Sequence, residues 1–194
     1  VLFIHTGANP QRFKPQKSSA FLQKKYSLTP GKTLLYIGSF SPWHACEQLL
    51  HAIARLVKTD KQVRLLMIGH GQKYTECVRL AERLNILSYV HFVGKVPLEQ
   101  IPEYINASDI CVALFDRHYR PFKHLGYYYS PIKVHEYKAC GKTLVVSDYP
   151  LLRELVQEGV HGYAVDETNI SALTNVLSHL LAHPQLLKKI GANN

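Results

Sequence analysis

Residues 33–57 read TLLYIGSFSPWHACEQLLHAIARLV, and this stretch decides the fold. Its first part, Thr33–Ile37, is a continuous apolar run that ends at Gly38, as expected of a buried strand. Its second part, Cys46–Val57, places leucine, isoleucine and valine residues at helical spacing. The stretch therefore predicts a strand, a turn and a helix in that order.

The same alternation recurs five more times along the chain. Strands are predicted at Thr33–Ile37, Val63–Ile68, Val90–Val93, Ile110–Leu114, Thr143–Val146 and Gly162–Val165. Helices are predicted at Cys46–Val57, Tyr74–Leu84, Leu98–Ile105, Pro131–Ala139, Leu151–Val156 and Ile170–Leu181. Apolar strands without polar alternation belong in a parallel sheet covered on both faces. The pattern therefore predicts an α/β fold with a doubly wound, mainly parallel, six-stranded Rossmann-like sheet.

Composition and charge restrict the class of protein. The chain has 194 residues, of which 46% are hydrophobic and 19% charged, which excludes a disordered, collagen-like or disulfide-stapled protein. It shows neither a membrane-spanning apolar run nor a signal peptide, so a cytoplasmic protein is expected. The four cysteines are widely separated and form no C-x-x-C pair. The net charge of +9 favours anionic partners, namely phosphorylated small molecules, acidic lipid or nucleic acid.

The start of the chain differs from the rest. Residues 1–31 mix prolines with a basic cluster and show no sustained periodicity, so they are predicted to form an entry linker with one short helix. Residues 32–194 are predicted to form the single folded domain. The chain begins at Val1 and its one methionine is Met67, so a piece of a longer protein is expected.

Function is expected after the strands, because ligands of doubly wound sheets bind beyond the carboxyl ends of the strands. No G-x-G-x-x-G fingerprint follows the first strand. The candidate residues lie in three glycine-containing turns, namely Gly38, Ser39 and His44 after the first strand, Gly69, His70 and Gly71 after the second, and Gly94, Lys95 and Val96 after the third. Simple strand-to-helix turns remain the alternative interpretation of the second and the third.

The longest connection, residues 116–130, follows the fourth strand and is too long to be a mere link. It and the helix after it hold the cations Arg117, Arg120, Lys123 and Lys133 and the tyrosines Tyr119, Tyr127, Tyr128 and Tyr129. The next helix is predicted to begin with Ser130 as N-cap and Pro131 at its first position, and to end at Gly141.

Lys133 and Glu136 are three residues apart and so share one face near the start of that helix. A cation and a helix dipole can hold phosphate there, while a carboxylate can accept two hydroxyl protons from a sugar. On spacing alone, a surface ion pair between the two residues is the favoured interpretation.

Taken together, the motifs resemble those of the C-terminal, donor-binding domain of a group 1, retaining glycosyltransferase with the GT-B fold. The segments that carry the resemblance are GANPQRF at 7–13, GSFSPWH at 38–44, MIGHG at 67–71, VHFVGKV at 90–96, SPIKVHEY at 130–137, and ELV at 154–156 followed by Gly159 and Gly162. They occur in the family's order over nearly the whole chain. The resemblance implies a hexosyltransferase that uses a UDP- or GDP-linked sugar and no metal.

The resemblance also assigns roles to residues. Glu136 matches the glutamate that binds the nucleotide ribose, and the other glutamate of the family's E-x7-E motif falls on Tyr128. The basic pair that normally holds the donor diphosphate falls on Ser39 and His44, so Lys133 is expected to take over the phosphates. Lys133 and Glu136 are thus the expected catalytic residues, while the turn at Gly94-Lys95-Val96 is expected to meet the base. The acceptor is expected to bind an N-terminal domain that this chain lacks, so the chain alone is expected to be inactive.

Other functions stay open. Ser39, His44 and Tyr128 stand where the family has charged residues, so a non-catalytic nucleotide-binding or interaction module is the main alternative. Nucleic-acid binding draws only on the net charge and is not expected. His179 and His183 lie one helical turn apart, a spacing that suits zinc, but no third ligand is near in sequence. An acidic membrane surface, on the inner face of a membrane, is a further candidate partner of the basic linker.

Overall fold

The computed structural model describes residues 7–125 and 130–194. The strands are β1 (Thr33–Ile37), β2 (Arg64–Ile68), β3 (Val90–Gly94), β4 (Ile110–Ala113), β5 (Thr143–Ser147) and β6 (Gly162–Val165). The helices are α1 (Ala20–Lys25), α2 (Cys46–Thr59), α3 (Tyr74–Arg83), α4 (Ile101–Ala107), α5 (Arg120–Leu125), α6 (Ile132–Ala139), α7 (Pro150–Leu155), α8 (Ile170–Ala182) and α9 (Pro184–Ala192).

The six strands form one parallel sheet in the order β3-β2-β1-β4-β5-β6. Neighbouring residues of each central strand face opposite sides. Leu34 and Tyr36 pack in one core with α2, α3, α8 and α9, while Leu35 packs in the other core with α1, α4, α5, α6 and α7. Both faces of the sheet are therefore covered, and the predicted fold class is confirmed.

Two helices were not predicted, and both follow from proline placement. Pro184 stands in the first turn of α9, where its missing N–H is not needed, so a second helix begins directly after α8. Helix α5 contains Pro121 in its first turn and lies inside residues 116–130, the segment predicted to be a long connection. Phe122 is its buried residue and anchors it to the core.

The start of α6 differs from the prediction by one residue. The N-cap is Pro131 rather than Ser130, because the ψ angle of Pro131 is 81° and lies outside the helical region. Ile132 is thus the first helical residue. The predicted end is confirmed: Gly141 has a φ of +66°, its N–H donates to the Lys138 carbonyl, and the Lys142 N–H donates to the Tyr137 carbonyl. This is the hydrogen-bond pattern of a Schellman motif.

Candidate functional site

Glycines bring three strand ends close together at the carboxyl edge of the sheet. The Gly38 N–H donates to the Ile68 carbonyl at 3.0 Å, and the Gly69 N–H donates to the Gly94 carbonyl at 2.8 Å. A Cβ atom on Gly69 would lie 1.9 Å from the Gly38 carbonyl oxygen, and the φ of Gly69 is +127°. A Cβ on Gly71 would lie 2.7 Å from the Phe40 carbonyl oxygen. These glycines are therefore required for the close approach of the turns after β1 and β2.

The turn after β1 faces the Lys133 ammonium. A Cβ atom on Gly38 would lie 2.7 Å from Lys133 Nζ, so the missing side chain leaves room for the cation. Nζ also lies 5.1 Å from the ring centre of Tyr36 and 5.2 Å from that of Phe115, in cation–π geometry. Within the described ranges, no carboxylate forms an ion pair with it. Burial lowers the pKa of Lys133 to about 8.

His44 is the polar partner of this lysine. Lys133 Nζ lies 3.2 Å from His44 Nε2. Burial, and then the charge of Lys133, lower the pKa of His44 to about 2, so the imidazole is neutral. An ammonium group can only donate, so Nε2 accepts and the imidazole proton is on Nδ1. Nδ1 lies 3.4 Å from Ser39 Oγ.

Further hydrogen bonds fix Ser39. Its Oγ accepts from Ser41 Oγ at 2.9 Å, and its carbonyl accepts from the Tyr36 hydroxyl at 2.6 Å. The structure therefore brings three of the predicted residues, Ser39, His44 and Lys133, into one hydrogen-bonded group. His44 in this arrangement orients Lys133 and keeps its surroundings free of a second positive charge.

Helix α6 is held so that Lys133 and Glu136 lie beside the end of β1. The backbone N–H of Ile37 donates to the buried Tyr137 hydroxyl at 3.0 Å, which ties the helix to the last residue of β1. Glu136 is half-buried, and burial raises its pKa, an effect opposed by Lys133 and Arg12. No ion pair joins Lys133 to Glu136, both of which are described residues. Because the ammonium is directed to His44 instead, the surface ion pair that spacing allowed is not formed.

The remaining predicted residues have different surroundings. The His70 ring stacks on Tyr74, with ring centres 4.7 Å apart and an angle of 21°. Lys95 is exposed, Val96 packs against the core, and a Cβ on Gly94 would meet open space. Ser130 is exposed and Pro131 is buried. Tyr127, Tyr128 and Tyr129 lie outside the described residues.

The basic residues of the long connection do not act as one group. Arg117 donates through its backbone N–H and Nε to Glu167 Oε1, at 2.9 and 3.0 Å, and Glu167 is fully buried. This pair attaches the segment after β4 to the end of β6 and takes Arg117 away from Lys133. Arg120 and Lys123 are exposed on α5.

Sequence reasoning missed three residues of this site. Tyr36 and Phe115 lie in or beside apolar strands, where aromatic residues normally indicate core, yet their rings flank the Lys133 ammonium. Arg12 contributes to the electrostatic field at Glu136 although it is in the linker. Arg12 belongs to the GANPQRF segment at 7–13, whose resemblance to the family is the available signal.

The described residues contain neither a cluster of metal ligands nor a membrane-spanning helix. Across residues 7–125 and 130–194, no three histidine, cysteine, aspartate or glutamate side chains come together in a way that suits a metal ion. His183 Nδ1 instead lies 2.7 Å from the His179 carbonyl oxygen. In the same ranges, none of the helices has both the length and the apolar character needed to cross a bilayer.

Two curated relatives are similar in sequence over almost the whole chain. The D-inositol 3-phosphate glycosyltransferase of Streptomyces bingchenggensis is 26% identical over 99% of this chain and 42% of its own length. The GDP-mannose-dependent alpha-(1-6)-phosphatidylinositol monomannoside mannosyltransferase of Mycolicibacterium smegmatis is 24% identical over 95% of this chain and 48% of its own length. The chain thus spans less than half the length of either relative.

Solved structures share the fold. HepE from Anabaena, solved with UDP and glucose, superposes with a TM-score of 0.79 at 20% identity, covering 96% of this chain and 49% of HepE. The C-terminal domain of LpcC, a group 1 family glycosyl transferase from Francisella tularensis, superposes with a TM-score of 0.77 at 15% identity, covering 96% and 94% of the two chains.

A comparison with protein-family models agrees with the sequence relatives and with the solved structures. The family described as "Glycosyl transferases group 1" matches residues 18–194. The match covers most of the chain, and it confirms the resemblance drawn from the motifs. The chain belongs to the group 1 glycosyl transferases.

Proposed function

We propose that this domain binds a nucleotide-sugar donor at the carboxyl edge of β1, β2 and β3 and serves a retaining hexosyl transfer. The observation that carries the proposal is the Lys133 ammonium, which lies at this edge without a carboxylate partner among the described residues. A half-buried cation whose partners are two aromatic rings and a neutral imidazole lacks the opposite charge that best compensates a buried ion. A bound anion would supply it.

The chemistry requires charge stabilisation at the leaving group. When the bond between sugar and diphosphate breaks, negative charge grows on the diphosphate oxygens. Pre-positioned donors directed at that charge are the strongest means of lowering such a barrier. Lys133 is the donor proposed for this role, and the proposal assigns no step to a metal ion.

The other parts of the donor are assigned by position. Glu136, one helical turn beyond Lys133, would accept hydrogen bonds from the two ribose hydroxyls. The base would lie at Gly94–Val96, where a Cβ atom on Gly94 would meet open space. HepE was solved with UDP-glucose, and one relative is named as GDP-mannose-dependent, so uridine and guanosine donors are the two to compare.

A thermal-shift screen tests this function. We expect UDP-glucose or GDP-mannose to raise the melting temperature of the chain, because a ligand that binds only the folded state stabilises it. UDP and GDP should do so as well, whereas uridine and guanosine should have a smaller effect. If no nucleotide or nucleotide sugar shifts the melting temperature, the proposal is contradicted, and a non-catalytic interaction module, part of the alternative suggested by Ser39, His44 and Tyr128, is favoured.

The pH dependence of donor binding provides a second test. In the domain without a bound nucleotide, the pKa of Lys133 is about 8. A bound diphosphate would raise it, so affinity should fall as the pH rises from about 7 to about 9, by at most about tenfold per pH unit. UDP-glucose is the suitable probe, because its diphosphate is esterified at both ends and does not titrate in this range.

Calorimetry in two buffers of different ionisation enthalpy would detect the accompanying proton uptake. The matched variant is Lys133→Arg, whose guanidinium stays charged throughout. Its affinity should be independent of pH between these limits. A wild-type affinity that is equally flat would contradict the role given to Lys133.

A further inference from the structure

The first quarter of the sequence is strongly and uniformly basic. Residues 1–46 contain six lysines and arginines and no aspartate or glutamate, the first acidic residue being Glu47. Lys32 is neutralised by Asp60, with Nζ and Oδ2 2.7 Å apart. Arg12 contributes to the electrostatic field at Glu136, and the other four cations, all lysines, lie in and just before α1.

Four lysines and one aromatic ring form what we call the α1 surface: Lys14, Lys17, Phe21, Lys24 and Lys25. All five are exposed. Phe21, Lys24 and Lys25 are spaced three and four residues apart and therefore share one face of α1. In the described part of the chain no carboxylate forms an ion pair with these lysines, including Glu103 on the neighbouring α4.

The opposite side of α1 holds the helix firmly in place. Leu22 is 1% exposed, and the Tyr26 ring packs against Tyr104 and His91, with ring centres 6.3 and 5.1 Å apart. Asn106 of α4 accepts from the Gln16 N–H and donates to the Lys14 carbonyl, which fixes the segment before α1. The α1 surface is therefore a preformed, outward-facing feature.

Phe21 is the unusual member of this surface. Its side chain is 67% exposed, although an aromatic ring on a well-anchored helix gains by burial. The Lys25 ammonium lies 5.6 Å from its ring centre. An exposed phenylalanine among lysines is the composition by which peripheral helices bind an acidic bilayer, the ring entering the headgroup boundary and the cations meeting lipid charges.

We propose that the α1 surface binds an anionic lipid bilayer and attaches this domain peripherally to it. The cations of α1 are all lysines, which act as point charges on a diffuse negative surface, whereas arginine is the residue favoured for specific nucleic-acid contacts. One ring on a short helix also provides no succession of stacking platforms for bases. The proposal is independent of donor binding, since it uses none of the residues assigned to the donor.

Sedimentation with lipid vesicles tests the proposal on the whole chain. We expect binding to vesicles that contain about 30% phosphatidylserine in phosphatidylcholine, no binding to phosphatidylcholine alone, and release by about 0.5 M salt. The triple variant Lys17→Gln, Lys24→Gln, Lys25→Gln should lower the partition coefficient roughly a hundredfold, at about fivefold per lysine. Phe21→Ser should weaken binding without changing the charge.

The matched control is the triple variant Lys58→Gln, Lys188→Gln, Lys189→Gln, which removes the same charge from exposed positions on α2 and α9. It should bind vesicles within about twofold of the wild type. The proposal is overturned if the control loses as much binding as the α1 variant, if Phe21→Ser binds as the wild type does, or if anionic vesicles do not sediment the chain. An unchanged melting temperature verifies that each variant is folded.

Discussion

Replacing Lys133 by methionine is expected to weaken the binding of UDP or GDP by about 1.5–3 kcal/mol, the usual contribution of a hydrogen bond to a charged group. Binding of uridine or guanosine should change little, because the lost contact is to phosphate. Methionine is the suitable replacement because it keeps an unbranched apolar stem between the rings of Tyr36 and Phe115. Calorimetric titration of each variant with the diphosphate and the nucleoside measures the two effects separately.

Although Lys133→Met weakens nucleotide binding, it should not destabilise the folded domain. Burial lowers the pKa of Lys133 below its value in the unfolded chain. The charged ammonium therefore lowers the free energy of unfolding at pH values below about 8. This destabilisation decreases as the pH rises above 8, because the ammonium then loses its proton in the folded state. Lys133→Met removes this destabilisation, so the melting temperature at neutral pH should not fall.

Lys58→Met is the matched control, because Lys58 is exposed in the last turn of α2, at the opposite edge of the sheet from Lys133. It should leave both affinities unchanged. Equal losses of diphosphate and nucleoside affinity in the Lys133 variant would show that the lysine supports the structure of the site rather than binding phosphate.

The sequence predicted the elements of this site better than their contacts. Helix α6 and the shared face of Lys133 and Glu136 can be predicted because both depend only on the spacing of residues within one short segment. The contact between Lys133 and His44 joins residues 89 apart in sequence. It exists only because β1 and β4 are neighbours in the sheet and Gly38 lacks a side chain.

Errors arose where local signals had two meanings. Ser130 followed by a proline is a common helix start, yet the backbone angles of Pro131 delay the helix by one residue. Pro184 follows one helix and begins another, and sequence alone does not distinguish the two. Arginine is a residue type that commonly binds phosphate, but the partner of Arg117 is Glu167, 50 residues away in sequence. This contact cannot be predicted without knowing that β6 lies beside β5 in the sheet.

Glu136→Gln is expected to weaken the binding of a ribonucleotide by about 1–3 kcal/mol. A carboxylate can accept from the adjacent 2′ and 3′ hydroxyls with both oxygens, whereas glutamine replaces one of those oxygens by an NH₂ donor. The loss should be smaller for a 2′-deoxynucleotide, which offers one hydroxyl fewer. Titrations of both proteins with UDP and 2′-deoxy-UDP measure this difference directly.

The control for this variant is Glu82→Gln, since Glu82 is exposed near the end of α3 and distant from the carboxyl edge. It should bind both nucleotides as the wild type does. If Glu136→Gln leaves both affinities unchanged while lowering the melting temperature, Glu136 serves the packing of α6 and the ribose assignment fails.

The double variant Lys133→Met, Glu136→Gln tests whether the two residues contact the nucleotide independently or whether one acts through its contact with the other. No ion pair joins the two side chains in the described structure, and burial rather than Lys133 is the main influence on the pKa of Glu136. Their effects on UDP affinity should therefore add to within about 0.5 kcal/mol. A larger coupling energy would mean that each residue acts through the other, because only then does removing the first change what the second contributes.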